Sequence, residues 1–225
     1  MSEATVAVKR TQEERVALSQ RRMTQAAIRL LTEQGIAGAT LAAIGERAGY
    51  SRGLATQRFG SKAGLLAHVH DTLAAEWIGR MRATVGEAVG VEAMERVITA
   101  LTGFIAEAPE EIRALYLLRY VSIDPTAEYR ANVAKVHRAQ RRDVQQWIEA
   151  GQTQGDVAAH LDAELVAEVF CATVDGIVYR WLVNPGIPVQ DMHSHLRLEL
   201  ARTLRGEHGA CERMPAAKAE KRKKR

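Results

Sequence analysis

The chain has 225 residues, of which 47% are hydrophobic and only 5% aromatic, and its formal net charge is +4. This length and composition predict one or two helical domains with a substantial core. No apolar run reaches the length of a membrane span, the N-terminus lacks the order of a signal peptide, and Cys171 and Cys211 stand in no metal or redox spacing. We therefore expect a reduced, cytoplasmic protein without a cofactor.

The positive charge lies at the two ends of the sequence. Residues 1–66 carry a net charge of +5, residues 67–217 of −6, and the tail "KAEKRKKR" of +5. A basic segment attracts nucleic acid because neutralised phosphates release counterions. An ordinary solvated surface explains the same charge equally well. Two explanations of the basic tail stay open: it makes extra contacts with DNA phosphates, or it is a solvated end without a role.

A loose arm over 1–10 precedes three predicted helices over 11–34, 40–48 and 51–59. Each helix has a Ser or Thr at its start and a Gly after its last turn, and the first opens with the capping box "TQEE". The last two are short and are joined by a tight turn that contains Gly. This arrangement is typical of a helix-turn-helix.

Six further helices are predicted over 62–85, 91–108, 110–123, 125–150, 162–183 and 188–205. Pro125 is placed in the first turn of its helix and Gly151 at the end of the same helix. No useful stretch alternates with the period of two that marks a strand, so the predicted fold class is all-α. Residues 207–225 combine Gly, Pro and a charge run and are predicted to be disordered.

The helix over 51–59 can bury little of itself. Ala55 and Phe59 share its inward face. In the major groove, Arg pairs with guanine, Gln pairs with adenine, and Leu contacts a thymine methyl. Gly53 lets the backbone approach a duplex closely, and it costs about 1 kcal/mol relative to Ala in an exposed helix. The residues predicted to point outward are Arg52, Gly53, Leu54, Thr56, Gln57 and Arg58.

Thr40, Ser61 and Lys62 lie at helix starts beside this segment. Free N–H groups and the helix dipole favour anions at such positions. Each residue alone is better explained as a helix cap or a surface lysine. Together, around an Arg/Gln helix, they favour contacts with DNA phosphates.

Positions 21–66 resemble the N-terminal domain of the TetR (tetracycline repressor) family of transcriptional regulators. The matching pieces are "LLTEQG", "ATLAAIGERAGYSRG" and "FGSKAGLL". The resemblance implies about nine helices, with a DNA-binding domain over 11–66 and a ligand-binding and dimerisation domain over 67–206. It also implies a homodimer, usually a repressor, that binds a roughly palindromic operator and is released by a small-molecule effector.

The resemblance also assigns contacts by position. The sequence departs from the family at Ala55-Thr56, where a Leu-Tyr pair is common. Thr56 reaches less far than tyrosine, so either the helix lies closer to the duplex or Arg58 takes over that phosphate contact. Base contacts fall on Arg52, Gly53, Leu54 and Gln57, and phosphate contacts fall on Thr40, Thr56, Arg58 and Lys62.

The helix over 162–183 is apolar on most sides, which indicates burial on most sides. The resemblance favours pairing with a second copy, together with the last helix, over an ordinary core within one chain. The predicted interface residues are Val169, Val174, Ile177, Val178, Trp181, Leu196 and Leu200.

No sequence motif indicates the chemical class of the effector. Aromatic residues at helical spacing pack cores first, so each candidate for the pocket is also explained as core. Arg119, Arg141 or Asp175 would supply the polar contact that orients a ligand. The candidate pocket residues are Phe104, Tyr116, Arg119, Tyr120, His137, Arg141, Trp147, Phe170 and Asp175.

Other functions find little support in the sequence. The pairs His68/His70 and His193/His195 are two residues apart, so neither shares a helix face, and we expect solvated histidines without a metal. No phosphate loop or nucleophile motif indicates an enzyme. The alternatives left open are an all-helical enzyme or carrier with a structural helix-turn-helix, and a DNA binder without base preference.

Overall fold

The computed structural model describes residues 11–207, and this range forms nine α-helices and no β-strand. The predicted all-α fold is therefore confirmed. The predictions for the arm 1–10 and for tail residues 208–225 lie outside the described range. The helices are α1 (Gln12–Gly38), α2 (Leu41–Arg47), α3 (Arg52–Phe59), α4 (Lys62–Val85), α5 (Gly90–Glu107), α6 (Pro109–Val121), α7 (Arg130–Gln154), α8 (Ala163–Val183) and α9 (Val189–Leu204).

Local signals place the ends of α1. The Thr11 hydroxyl accepts the Glu14 N–H at 3.1 Å, and the Glu14 carboxylate accepts the Thr11 N–H at 2.8 Å, which completes the predicted capping box. Near the other end, Gly35 leaves the helical path with φ 68°. Within the described range, no helix is long and apolar enough to span a membrane.

The predicted start of α7 is wrong. The Asp124 carboxylate accepts hydrogen bonds from the Thr126 N–H at 2.8 Å and the Thr126 hydroxyl at 2.7 Å. These bonds hold Pro125 in a turn, and the helix begins only at Arg130. A short polar side chain that bonds nearby backbone competes with helix formation, and here it delays the helix by five residues.

The predicted end of α7 is also wrong, because the helix continues through Gly151 to Gln154. A Cβ on Gly151 would overlap Gly90 at the start of α5 and would lie 2.7 Å from a methyl carbon of Val157. Gly151 is therefore required by a close helix contact and does not end the helix.

The described chain divides into two compact units. Unit 1 comprises residues 11–78 together with Ile105–Val136. Its core includes the fully buried Leu31, Ile44 and Leu65, and α6 packs against α1 in the same core through Leu118. The helix-turn-helix of unit 1 thus shares one apolar core with α6.

Unit 2 comprises Gly79–Phe104 together with residues 137–207. Most of its buried side chains come from α5, α7, α8 and α9, with Met81 and Val85 added by the end of α4, and α8 packs against α9. Among the described residues of this unit, His193 is the one polar residue in the buried class.

Candidate DNA-binding surface

A tight turn sets α3 against α2. Gly49 in this turn has φ 76°, a conformation that favours glycine. The Tyr50 N–H donates to the Gly45 carbonyl at 2.7 Å. A Cβ on Gly45 would come within 3.0–3.1 Å of the Tyr50 and Ser51 carbonyl groups, so glycine allows this approach. The start of α3 is thereby fixed close to α2.

Helix α3 packs through one narrow face. Ala55 is 0% exposed and Phe59 is 9% exposed, and both join the core of unit 1. Leu54 is half-buried against the same core, so it is shared between core and surface. The helix carries two arginines and no acidic residue. The residues of α3 that lie exposed are Arg52, Gly53, Thr56 and Gln57.

The chain itself does not require glycine at position 53. A Cβ built there would have a single neighbour within 4 Å, the Ser51 hydroxyl at 3.8 Å. Gly53 also has no positive φ, so an L-residue would fit its backbone. Glycine in such a place costs about 1 kcal/mol relative to alanine. Packing inside the chain gives no reason for that cost.

Thr40 and Ser61 both cap helices and both remain exposed. The Thr40 hydroxyl accepts the Ala43 N–H at 3.1 Å, and the Ser61 hydroxyl accepts the Gly64 N–H at 3.0 Å. Each hydroxyl accepts through oxygen, which leaves its hydrogen to donate to an anion. Capping and phosphate contact are therefore compatible at both residues.

The two predicted basic phosphate contacts are half-buried. The Lys62 ammonium lies 3.4 Å from the Ala37 carbonyl and has two further hydrogens to donate. The Arg58 Nε is buried, and no described residue accepts its hydrogen. Thr56, by contrast, is exposed.

Two histidines differ from the prediction in their solvent exposure. His70 and His193 are 0% and 1% exposed, so the expectation of solvated rings is wrong for both. Each of the two faces the interior of its unit, which histidine spacing alone does not reveal. Burial lowers the pKa of His68, His70 and His193. No group of three His, Cys, Asp or Glu residues within 11–207 is arranged to hold a metal ion.

The predicted pocket residues fall in both units. Unit 1 holds Tyr116 and Arg119, which are buried and stack with the guanidinium 5.2 Å from the ring centre, and the exposed Tyr120. The others belong to unit 2, where Phe104 and Phe170 are buried, Arg141, Trp147 and Asp175 are half-buried, and His137 is exposed.

Arg141 already has acidic partners. Its guanidinium lies 3.1 Å from Glu164 and 3.4 Å from Glu168. A separate open pocket of about 330 Å³ in unit 2 has four carboxylates and Arg205 in its lining and includes none of the nine candidates.

The predicted dimer residues are divided between core and surface. Val174, Ile177, Val178 and Leu200 are 4–9% exposed in the single chain, so they have little area left to bury against a partner. Trp181 and Leu196 are half-buried, and Val169 is 54% exposed. The structure instead exposes a row on α8 with alternating spacings of three and four. The sequence predicted only the first of its members, Val169, and missed the others: Ala172, Gly176, Tyr179 and Val183.

Comparisons with known proteins agree with this architecture. A family model described as bacterial regulatory proteins of the TetR family matches residues 24–69, and a model described as the C-terminal part of BetI-type transcriptional repressors matches residues 91–205. No curated protein matches the sequence.

Solved structures share the fold at low sequence identity. The fatty acid degradation regulator FadR from Bacillus halodurans is 16% identical with a TM-score of 0.71, over 86% of this chain and 96% of that chain. FadR from Bacillus subtilis, solved with stearoyl-CoA, is 18% identical with a TM-score of 0.71, over 80% and 97%. A transcriptional regulator from Rhodococcus sp. Rha1 is 20% identical with a TM-score of 0.72, over 84% and 97%. With a helix-turn-helix at one end and the two family models covering both parts of the fold, the chain belongs to the TetR family of transcriptional regulators.

Proposed function

We propose that this regulator is a cytoplasmic homodimeric repressor, in which α3 of each copy reads one half of a roughly palindromic operator. A small-molecule effector releases it from DNA. In this proposal residues 11–66 bind DNA, and residues 67–206 bind the effector and form the dimer. The observation that carries the DNA-binding part is the exposed Gly53, which packing within the chain does not explain.

The exposed side of α3 fits the major groove. Arg52 and Gln57 have the donors and acceptors that pair with guanine and adenine edges. Gly53 lies between them, where the absence of a side chain lets the helix backbone approach the bases. The half-buried Leu54 completes the proposed base contacts.

The proposed phosphate contacts surround this reading face. Thr56 is exposed on α3 itself, and the hydroxyls of Thr40 and Ser61 lie at neighbouring helix starts. Lys62 and Arg58 supply positive charge. Contacts of this kind fix the position of a protein on DNA without reading its sequence.

Substituting Gly53→Ala tests the proposal, because stability and DNA binding should change in opposite directions. The new methyl group makes only an ordinary contact with the Ser51 hydroxyl at 3.8 Å, so the free energy of unfolding should rise by about 0.5–1 kcal/mol. The same methyl group would hold α3 away from the duplex, so operator affinity should fall by about tenfold, a loss of about 1.4 kcal/mol. Urea denaturation and gel-shift titration with DNA from upstream of the gene measure the two effects.

The matched control is Gly79→Ala, at an exposed glycine of α4 whose Cβ would meet nothing within 4 Å. It should gain similar stability and leave operator affinity unchanged. A Gly53→Ala variant that binds the operator as tightly as wild type would show that the backbone of α3 does not approach DNA.

A dimer follows from the geometry of an operator. Successive major grooves on one side of DNA are about 34–36 Å apart, so reading both halves needs two copies. The exposed apolar row on α8 supports this, because spacings of three and four place its members on one side of the helix. On α9, Leu198 is a further apolar side chain left exposed, at 56%.

The proposal also includes release of the repressor from DNA by a small-molecule effector. The FadR structure from Bacillus subtilis contains stearoyl-CoA, which makes that compound the first probe for this chain. We expect an effector to reduce operator binding and to raise the melting temperature of the DNA-free protein. If operator binding is unaffected by every compound that stabilises the protein, the effector-release part of the proposal is wrong.

A further inference from the structure

The imidazole of His193 occupies an unusual position within unit 2. It is 1% exposed, and it lies on α9 where the apolar stripe that continues through Leu196, Leu200 and Leu204 calls for an apolar residue. Among the described residues of the unit it is the one buried polar side chain. A leucine at position 193 would pack as well as the histidine does.

The contacts of Thr102 on α5 determine which ring nitrogen of His193 carries the hydrogen. The Thr102 hydroxyl lies 2.9 Å from the Ile98 carbonyl and 2.9 Å from the His193 Nδ1. A hydroxyl has one hydrogen and a carbonyl only accepts, so Thr102 donates to Ile98 and accepts from the His193 Nδ1–H. The Nε2 of His193 is therefore an unprotonated acceptor.

This Nε2 has no hydrogen-bond donor among the described residues, and it is shielded from solvent. An unpaired acceptor in an apolar interior is costly, and such an atom is explained when something supplies the missing donor. Burial also lowers the pKa of His193, which keeps the ring neutral and the lone pair available near neutral pH.

We propose that the His193 Nε2 is the hydrogen-bond acceptor of an effector site inside unit 2, and that the effector is an apolar molecule with a hydroxyl or N–H donor. This inference rests on the effector response proposed above. Because Nε2 is closed to solvent, the donor reaches it only when the packing around His193 opens, and in this proposal α9 moves to open it. That movement displaces the helix that carries Leu198, so the effector acts on the proposed dimer surface from its inner side.

The test compares two probes that differ in one donor, 1-octanol and its methyl ether 1-methoxyoctane, on the full-length protein. In nitrogen NMR of histidine-labelled wild type, the His193 signals should show hydrogen on Nδ1 only. The alcohol should shift the Nε2 signal and the ether should not. The alcohol should also bind wild type about tenfold more tightly than it binds His193→Leu, since one hydrogen bond is lost.

The exposed His195, two residues along α9, gives the matched control His195→Leu, which should bind the alcohol as wild type does. Without a probe, His193→Leu should melt no lower than wild type, because it removes an unpaired polar atom. A lower melting temperature, hydrogen on Nε2, equal effects of alcohol and ether on the Nε2 signal, or an alcohol affinity unchanged by His193→Leu would each overturn the inference.

The NMR measurement uses only the wild-type chain, so it decides the question even if the leucine variant folds poorly. Failure of the proposed function is seen separately. In that case wild type would not bind operator DNA at all, whatever the probes do at His193.

Discussion

At the residue scale, solvent exposure separates two kinds of side chain on and around α3. Arg52 and Gln57 are exposed on the helix that is proposed to enter the groove. Lys62 lies at the start of α4 and is half-buried. A long cation beside the groove meets phosphates, which are the same for every sequence, whereas a side chain in the groove meets base edges.

Arg52→Ala and Lys62→Ala should therefore weaken DNA binding in different ways. Arg52→Ala should relax the choice of base at one operator position and cost about 1–3 kcal/mol there. Lys62→Ala should weaken all sequences about equally and reduce the slope of log affinity against log salt by about one. Titration of an operator series at several salt concentrations separates the two results.

Lys135→Ala is the control, since this exposed lysine lies on α7, away from the helix-turn-helix in the sequence. It should change neither the base preference nor the salt slope. A uniform loss of affinity from both test variants would contradict the division between base and phosphate contacts.

At the element scale, α8 has two apolar sides. One side, with Val174, Ile177 and Val178, is buried in unit 2. The other presents the row that begins at Val169 and passes through Gly176, where an added Cβ would meet nothing within 4 Å. A small residue in the middle of an exposed apolar row allows a second helix to approach closely, so this side fits a copy of itself.

Val169→Glu should convert the proposed dimer into monomers without unfolding the chain. Val169 is 54% exposed, so the carboxylate stays in water in the single chain but would be buried without a partner in the dimer. Sedimentation velocity gives the oligomeric state, and circular dichroism checks the fold. Ala159→Glu, at an exposed residue of the same unit, should leave the dimer intact. Unchanged sedimentation of Val169→Glu would place the interface elsewhere.

At the scale of the whole molecule, three histidines link stability to pH. Burial is the main cause that lowers the pKa of His68, His70 and His193, although Asp71 opposes it at the first two. The folded chain keeps these rings neutral, whereas the unfolded chain takes up protons near the ordinary pKa of about 6.5. The unfolded state therefore binds more protons below that pH.

The melting temperature should consequently be highest above about pH 6.5 and should fall as the pH drops from there towards the lowered pKa values. Thermal unfolding followed at about pH 7.5, 6.5 and 5.5 checks this. His193→Leu should flatten part of the fall, because one of the three linked rings is removed. A melting temperature that stays constant over this range would show that the three rings titrate alike in both states.

Sequence alone determined the number and type of the helices and four of the six residues predicted to point outward on α3, while Leu54 and Arg58 are half-buried. The capping box at Thr11, the glycine in the turn at Gly49 and the inward pair Ala55 and Phe59 act within a few residues of each other. Signals of such short range can be read without knowing what else lies nearby. The exposure of Arg52, Gly53, Thr56 and Gln57 followed, because these residues lie away from the buried apolar pair of a short helix.

Only the tertiary structure decided the features that depend on distant partners. Gly151 could be recognised as a packing residue only once Gly90 lay against it. The sequence of α8 is apolar on most sides, so contacts with the rest of unit 2 had to determine which side was left exposed. From the sequence, His193 is predicted to lie at the surface. Its burial is seen only in the structure, where its ring is hydrogen-bonded to Thr102, 91 positions away. In each case the physical cause is a contact between helices, and helix periodicity carries no information about which helices meet.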